Sequence, residues 1–364
     1  MTRRAPSSVT ISAWAGSTNL GDELVLAALL AKLAARGASP VVLSVDPEGT
    51  TAAHGVAASG LPALLRRGPG RPAGVLLGGG GLLQDLTSPL NLPFHLGRTL
   101  LATGRRGSFA GIGLGAGPIS SRAGARLTGT ALRPAVAVSV RDQGSVDLLS
   151  RLGIRASLAA DLAVSLPTPR VQVEGRVAVS LRPWTGGGGA LPVALRRRGR
   201  TPATPEWFAP AMAAALDEVA GRSGLVVHFI ALQADRDDAV HREVADRMRS
   251  PVTFDVPDVH TVVDEVASCQ AVVAMRYHAG IAALLGGRPA VLIGYSPKVP
   301  SLAAEVPGGM AGLAWDEASL AGLPAAVERV LDRGEAVVEG RERLREREQV
   351  NDQVIDRLLE AIQG

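Results

Sequence analysis

Residues 271–299 read AVVAMRYHAGIAALLGGRPAVLIGYSPKV. The first five residues are an apolar, β-branched run of the kind that forms a buried parallel strand. Arg276, Tyr277 and His278 follow where that strand stops. Residues 279–285 are small and apolar and predict a helix, closed by Gly286-Gly287. Residues 290–293 predict a second strand, which ends at Tyr295-Ser296-Pro297-Lys298. One strand–helix–strand unit thus sets Arg276 and His278 at one strand's carboxyl end and Lys298 at the next. Ligands of open α/β sheets bind along that edge. Of the 38 lysines and arginines only Lys32 and Lys298 are lysines. Either chance placed Lys298 beside the proline turn, or the position uses a compact, rotatable ammonium where a planar fork would not serve.

A chain of 364 residues has room for about two domains, each with its own core. Its 46% hydrophobic and 20% charged residues describe an ordinary globular protein. A net charge of +4 with interspersed acids, and 3% aromatics, argue against nucleic acid as a partner. The single cysteine, Cys269, excludes an internal disulfide and points to a cytoplasmic setting. No apolar run approaches the roughly 20 residues of a transmembrane helix. Arg3-Arg4 could open a signal peptide, but the broken run after them reads better as a first strand.

From the amino end, residues 9–15 predict a strand, 16–23 a polar loop with Gly21, 24–35 a helix and 41–45 a strand. Asn19 and Asp22 sit where side chains cap a helix or where a helix amino end meets a ligand anion. Residues 74–77 predict a strand followed by Gly78 to Gly81, including Gly79 and Gly80, and then Gln84 and Asp85. Residues 108–112 predict another, leading into Gly113, Gly115, Gly117 and Pro118. Such glycines admit close approach of a ligand or a neighbouring element. They match neither the dinucleotide fingerprint nor the phosphate-binding loop that ends in Lys. Residues 135–140 predict a strand ending at Arg141, a second arginine at a strand end, whose alternative is an ion pair with Asp142 or Asp147. Asp161 ends the strand after it.

Pro167-Thr168-Pro169 reads as a linker, giving domains at 1–168 and 169–335 and a charged helical strap at 336–364. The second half restarts with a strand over 176–181 ending at Arg182. A loop over 186–205 then carries Arg196, Arg197, Arg198 and Arg200, suited to lipid head groups or a diphosphate, or simply solvated. His228 reads as a core residue. His54, His95, His241 and His260 fall in no ligand spacing, and no cluster in the sequence calls for a metal.

Taken in order, the motifs Gly16…Asn19-Leu20-Gly21-Asp22-Glu23, Gly78-Gly79-Gly80 with Gln84-Asp85, Gly111-Ile112-Gly113…Gly117-Pro118, Val140-Arg141-Asp142 with Ser145, Arg276-Tyr277-His278-Ala279 and Pro297-Lys298-Val299 resemble those of the polysaccharide pyruvyl transferases. The resemblance spans nearly the whole chain and is nearest the bacterial branch acting on lipid-linked cell-wall intermediates. It implies two Rossmann-like domains facing across a cleft, as in glycosyltransferase B enzymes. It also implies phosphoenolpyruvate as donor, a lipid-linked sugar as acceptor and no cofactor. Arg141, Arg276 and Lys298 would then bind the donor, and His278 would serve as general acid and base. Peripheral contact with the inner membrane face is compatible with it. Asp161-Leu162 departs from the family's expected Asp-Pro, and the arginine-rich loop has no counterpart. Two rival readings are a nucleotide-sugar glycosyltransferase or epimerase of the same architecture, and a non-catalytic anion- or sugar-binding protein.

Overall fold

Apolar runs buried on both faces pair as parallel strands only when helices cover both sides of the sheet. The computed structural model describes residues 8–61, 74–86, 88–104, 107–183, 204–294 and 298–363, and it holds two such sheets. The first contains β1 (Ser8–Ala15), β2 (Ser39–Ser44), β3 (Ala57–Ser59), β4 (Gly74–Leu83), β5 (Ser108–Ala116), β6 (Val138–Val140) and β7 (Ser157–Leu158), in spatial order β3-β2-β1-β4-β5-β6-β7. The second contains β8 (Glu174–Ser180), β9 (Val226–Ile230), β10 (Val252–Asp255), β11 (Cys269–Ala274), β12 (Ala290–Gly294) and β13 (Met310–Ala314), ordered β10-β9-β8-β11-β12-β13. Each sheet reverses its winding once, between β1 and β4 and between β8 and β11. Crevices open beyond the carboxyl ends of strands at such points.

Two expectations are corrected in β4 and β5. The run Gly78–Gly81 is not a loop after a strand but part of β4, and β5 likewise continues through Gly113 and Gly115 to Ala116. Positive φ at Gly79 (59°), Gly80 (81°) and Gly113 (55°) lets these strands bulge without losing their partner. The β4–β5 register shifts between Gly80 and Leu83.

A central apolar core joins the two halves. It packs the helix Leu20–Ala35, through Leu24, Val25 and Leu29, with the helix Tyr277–Gly286, through Ile281, Leu284 and Leu285. The charged helical strap expected over residues 336–364 is two helices, Gly334–Glu348 and Val350–Gln363. The first lies on the helix Tyr277–Gly286, and the second runs back onto β4, β5 and β6. Lys32 holds Glu348 and Asp352, both at 2.9 Å, while Arg36 holds Asp352 and Asp356. The chain's end is thereby fastened to its first helix. The arginine cluster at 196–200 lies outside the described residues, as do Tyr295, Ser296 and Pro297.

Candidate active site

The helix Tyr277–Gly286 begins straight after β11, with Arg276 as its N-cap at φ −75° and ψ 120°. Tyr277 and His278 therefore stand in the first turn, where they meet the other half of the molecule. The helix Leu20–Ala35 arrives there from the first sheet. A β-carbon on Gly21 would run into the His278 ring, 2.7 Å from its Cγ. Glycine at 21 is what lets the two helix starts close on the imidazole.

Asp161 links His278 to the first sheet. Its Oδ2 accepts from Arg141 Nη1 at 2.8 Å and lies 3.6 Å from His278 Nε2, while its Oδ1 accepts from the Ala163 amide at 3.1 Å. Arg141 follows β6, held by its own amide's bond to the Leu114 carbonyl at 3.1 Å. Its guanidinium stacks 4.4 Å over the Tyr277 ring. Gly115 makes room for it, since a β-carbon there would stand 3.0 Å from Arg141 Nε. Arg141 and Asp161 are 4% and 2% exposed, so this is a buried ion pair with an imidazole at its edge.

The electrostatics follow from that burial. Burial opposes the Arg141 charge, but Tyr277, Asp161 and Asp142 outweigh it and push the pKa above the ordinary arginine value. Burial likewise raises the Asp161 carboxyl, yet His278 and Arg141 hold it well below the usual carboxylate range. Burial pushes the Tyr277 phenol up despite Arg141, so it stays protonated. The alternative of an Asp147 partner for Arg141 is corrected: Asp147 takes a bond from Gln143, and Asp142 lies 3.9 Å from Arg141 Nε. Two buried nitrogens, Arg141 Nε and His278 Nε2, make no hydrogen bond among the described residues. Buried donors left open like this call for a partner.

Arg276 turns into the second half. It grips Asp237 with Nε at 3.0 Å and with Nη2, and donates from Nη2 to Gln233 Oε1 at 3.2 Å. Arg141 and Arg276 are thus each neutralised by a buried carboxylate. Around Arg276 the halves meet through both backbone and side chains. The Leu20 amide donates to the Leu232 carbonyl at 2.9 Å, and Thr18, at φ 63°, donates to Asp235 at 3.0 Å. His241 accepts from the Leu181 amide at 2.9 Å, and burial lowers its pKa to about 4, so it is a neutral support.

The remaining sequence candidates divide. Asn19 caps the helix Leu20–Ala35 by accepting from the Gly21 amide at 3.3 Å, and it also donates to Asp22. Gly80 lies against Asp22, where a β-carbon would stand 3.1 Å from Oδ1. Gly79 instead serves packing, because its missing side chain is where Val25 sits. Asp85 is drawn away, accepting from the Ser120 and Ser121 amides at 2.8 and 2.9 Å. Although slight burial opposes it, those bonds lower its pKa. Gln84 gives its carbonyl to Asn91. Arg182 stands just past β8, beside Arg276 on the same sheet edge, since Ser180 pairs with Ala274. Lys298 opens the helix Lys298–Glu305 just beyond β12; its side chain is outside the described residues.

Asp237 and Gln233 were not singled out by sequence, and Asp161 and Tyr277 were named there without a site role. The available signal for Asp161 was its place after the strand next to the one ending in Arg141. A separate His228, Asp255 and Glu265 group has ligand atoms within 4.8 Å of one another. Arg176 lies 3.1 Å from Glu265 and 3.3 Å from His228, and it supplies the positive charge a metal would.

Fold and site together define a two-domain α/β protein with the Arg141–Asp161–His278 assembly between the domains. Three solved structures share that architecture. A Staphylococcus aureus MnaA–UDP structure matches with TM-score 0.60 at 10% identity over 96% of this chain and 95% of that one. The UDP-GlcNAc 2-epimerase of Neisseria meningitidis bound to UDP-GlcNAc gives 0.58 at 11%, over 97% and 99%. Anabaena Alr3699/HepE in complex with UDP-glucose gives 0.57 at 11%, over 97% and 99%. At these identities the likeness is one of fold, that of the glycosyltransferase B enzymes and related epimerases. A model of the polysaccharide pyruvyl transferase family matches residues 19–297. The chain belongs to that family and is a transferase. No curated protein matches it.

Proposed function

We propose that the protein transfers a pyruvyl group from phosphoenolpyruvate to a sugar of a cell-surface polysaccharide intermediate, forming a ketal and releasing phosphate. The observation that carries this reading is the Arg141–Asp161–His278 assembly, with Arg141 Nε and His278 Nε2 buried and open. His278 delivers a proton to C3 of the enol ether, and C2 becomes cationic. One sugar hydroxyl adds to C2, the C2–O bond to phosphate breaks, and a second hydroxyl closes the ketal. The two hydroxyls lose two protons; one balances that gained at C3, and the other leaves with phosphate. Arg141, Arg276 and Lys298 hold the donor and stabilise the departing dianion. Asp161 keeps Arg141 in place and orients the imidazole.

An acceptor joined to lipid, met at the inner membrane face, is supported by the arginines at 196–200. Among the described residues no helix is long and apolar enough to cross a membrane. Incubation with phosphoenolpyruvate and candidate sugar acceptors should release phosphate only when an acceptor is present and add a pyruvyl group to its mass. UDP released from a nucleotide sugar, with phosphoenolpyruvate inert, would replace this reading with a glycosyltransferase or epimerase. Ligand binding without turnover would leave the anion- or sugar-binding reading.

A further inference from the structure

A cavity lies far from His278, lined by the turns before β6 and β7 and by the helix Val350–Gln363. Arg141 and Asp161 stand past the carboxyl ends of β6 and β7, whereas this cavity opens at the other end of the same strands. Its volume is about 530 Å³, inside the roughly 300–1,000 Å³ range of small-molecule sites. The turns before β6 and β7 form one wall, and the helix Val350–Gln363 forms the other. Arg133, Arg155 and Arg357 line it, one from each of these three segments, and no acidic side chain does. None of the three makes an ion pair or side-chain hydrogen bond among the described residues. Elsewhere on the surface, Arg36, Arg222, Arg242 and Arg347 each hold a carboxylate. Three unneutralised guanidiniums around one hollow are a concentrated positive field with fork-shaped donors. Gln353 and Ser157 add neutral polar groups, and Val136 gives the floor an apolar part.

We infer that this cavity is a second ligand site, for a phosphate or diphosphate group carried on a small body. Guanidinium forks match phosphate oxygens in pairs, and a diphosphate offers enough oxygens to engage all three. The wall formed by the Val350–Gln363 helix gives the site a structural consequence. Asn351 on that helix donates to the Ala160 carbonyl at 3.1 Å, the residue before Asp161. A phosphate bridging Arg357 to Arg133 and Arg155 clamps this helix against the first sheet.

The test is calorimetric titration of inorganic pyrophosphate into the full chain already saturated with phosphoenolpyruvate, so that the interdomain site is filled. Hydrogen exchange then locates the bound ion. If pyrophosphate displaces phosphoenolpyruvate instead, exchange protection moves to residues near 141 and 278, and the inference fails. The expected result is protection at residues 132–138, 153–157 and 350–357. Affinity should weaken about tenfold in each of Arg133→Gln, Arg155→Gln and Arg357→Gln. Gln353→Glu, which removes no arginine, should weaken it comparably by adding a negative charge. Flotation with vesicles containing phosphatidic acid distinguishes the source. Arginine-dependent flotation assigns a lipid phosphate, and pyrophosphate binding without flotation assigns a free one. Unchanged affinity in all four variants, or no binding of either probe, overturns the inference. Because pyruvyl transfer is assayed separately, its failure would leave this result standing.

Discussion

Asp161 faces Arg141 from its own half of the chain and His278 from the other, and few carboxylates in the molecule are as buried. Asp161→Asn keeps the shape but leaves Arg141 with an uncompensated buried charge, a change that typically costs about 3–5 kcal/mol. We expect kcat to fall about 100-fold or more at a folded-state circular dichroism spectrum unlike that of denatured chain. Full activity would refute a role for Asp161 beside His278. The pH dependence has a definite sign. Its folded pKa lies below the ordinary value near 3.9, so Asp161 adds stability above about pH 4. That contribution is lost as pH falls from there through the depressed folded pKa, because protonation ends the bond to Arg141. Acid titration of unfolding should therefore be shallower in Asp161→Asn than in the parent chain. At Gly21 a single methyl group decides whether the halves can close on His278. Gly21→Ala should reduce kcat at least tenfold with little change in melting temperature, since the displaced ring sits at the helix start and outside the main core. Unaltered kcat would show that the ring moves freely aside.

Among the elements, most of the parallel strands were plain in the sequence because each is a short apolar run ended by a polar turn; β3 and β13 were not expected, being short or only partly buried. The bulges of β4 and β5 were not, since a glycine run reads as a loop until its neighbouring strand is known. The site was legible in part for the same reason. Arg141, Arg276 and His278 follow obvious strands, whereas their carboxylate partners are fixed only by packing. Asp237 meets Arg276 from the helix Ala234–Ala245, and nothing local in sequence joins them. The helix Gly334–Glu348 supplies an element-scale prediction. Burial raises the Glu348 pKa to about 7, outweighing Lys32, which is shared with Asp352, and the bond from Asn351. A carboxyl raised above its unfolded value near 4.3 favours the fold fully below that pH. The contribution is lost as pH rises through about 7, and is on the order of 3 kcal/mol. Urea midpoints should thus decline between pH 5 and 8 in the parent chain. In Glu348→Gln the decline should be visibly flatter; an unchanged slope would mean that Lys32 keeps Glu348 ionised throughout.

On the scale of the molecule, the two Rossmann-like halves bring Asp161 and His278 together, and the helix Val350–Gln363 ties the segment carrying Asp161 to the first sheet. Ser139 accepts from the Gly113 amide at 2.9 Å and donates to Asn351 Oδ1 at 2.6 Å, while Asn351 donates to the Ala160 carbonyl. This buried network joins β5, β6, the returning helix and the segment carrying Asp161. A charged tail announces a helix in sequence, yet its destination rests on contacts no periodicity marks, the bonds of Asn351 among them. Asn351→Leu preserves volume and leaves the Ser139 O–H without its acceptor and the Ala160 carbonyl without its donor, at roughly 1–3 kcal/mol for each group. We expect a lower melting temperature, together with a kcat loss measured well below the new midpoint, because Asp161 loses its neighbouring anchor. The double variant Asn351→Leu with Asp161→Asn separates the two effects. If the tail acts on catalysis by way of Asp161, the double variant should be no slower than Asp161→Asn alone. If the two losses simply multiply, Asn351 serves stability and the tail does not position the site.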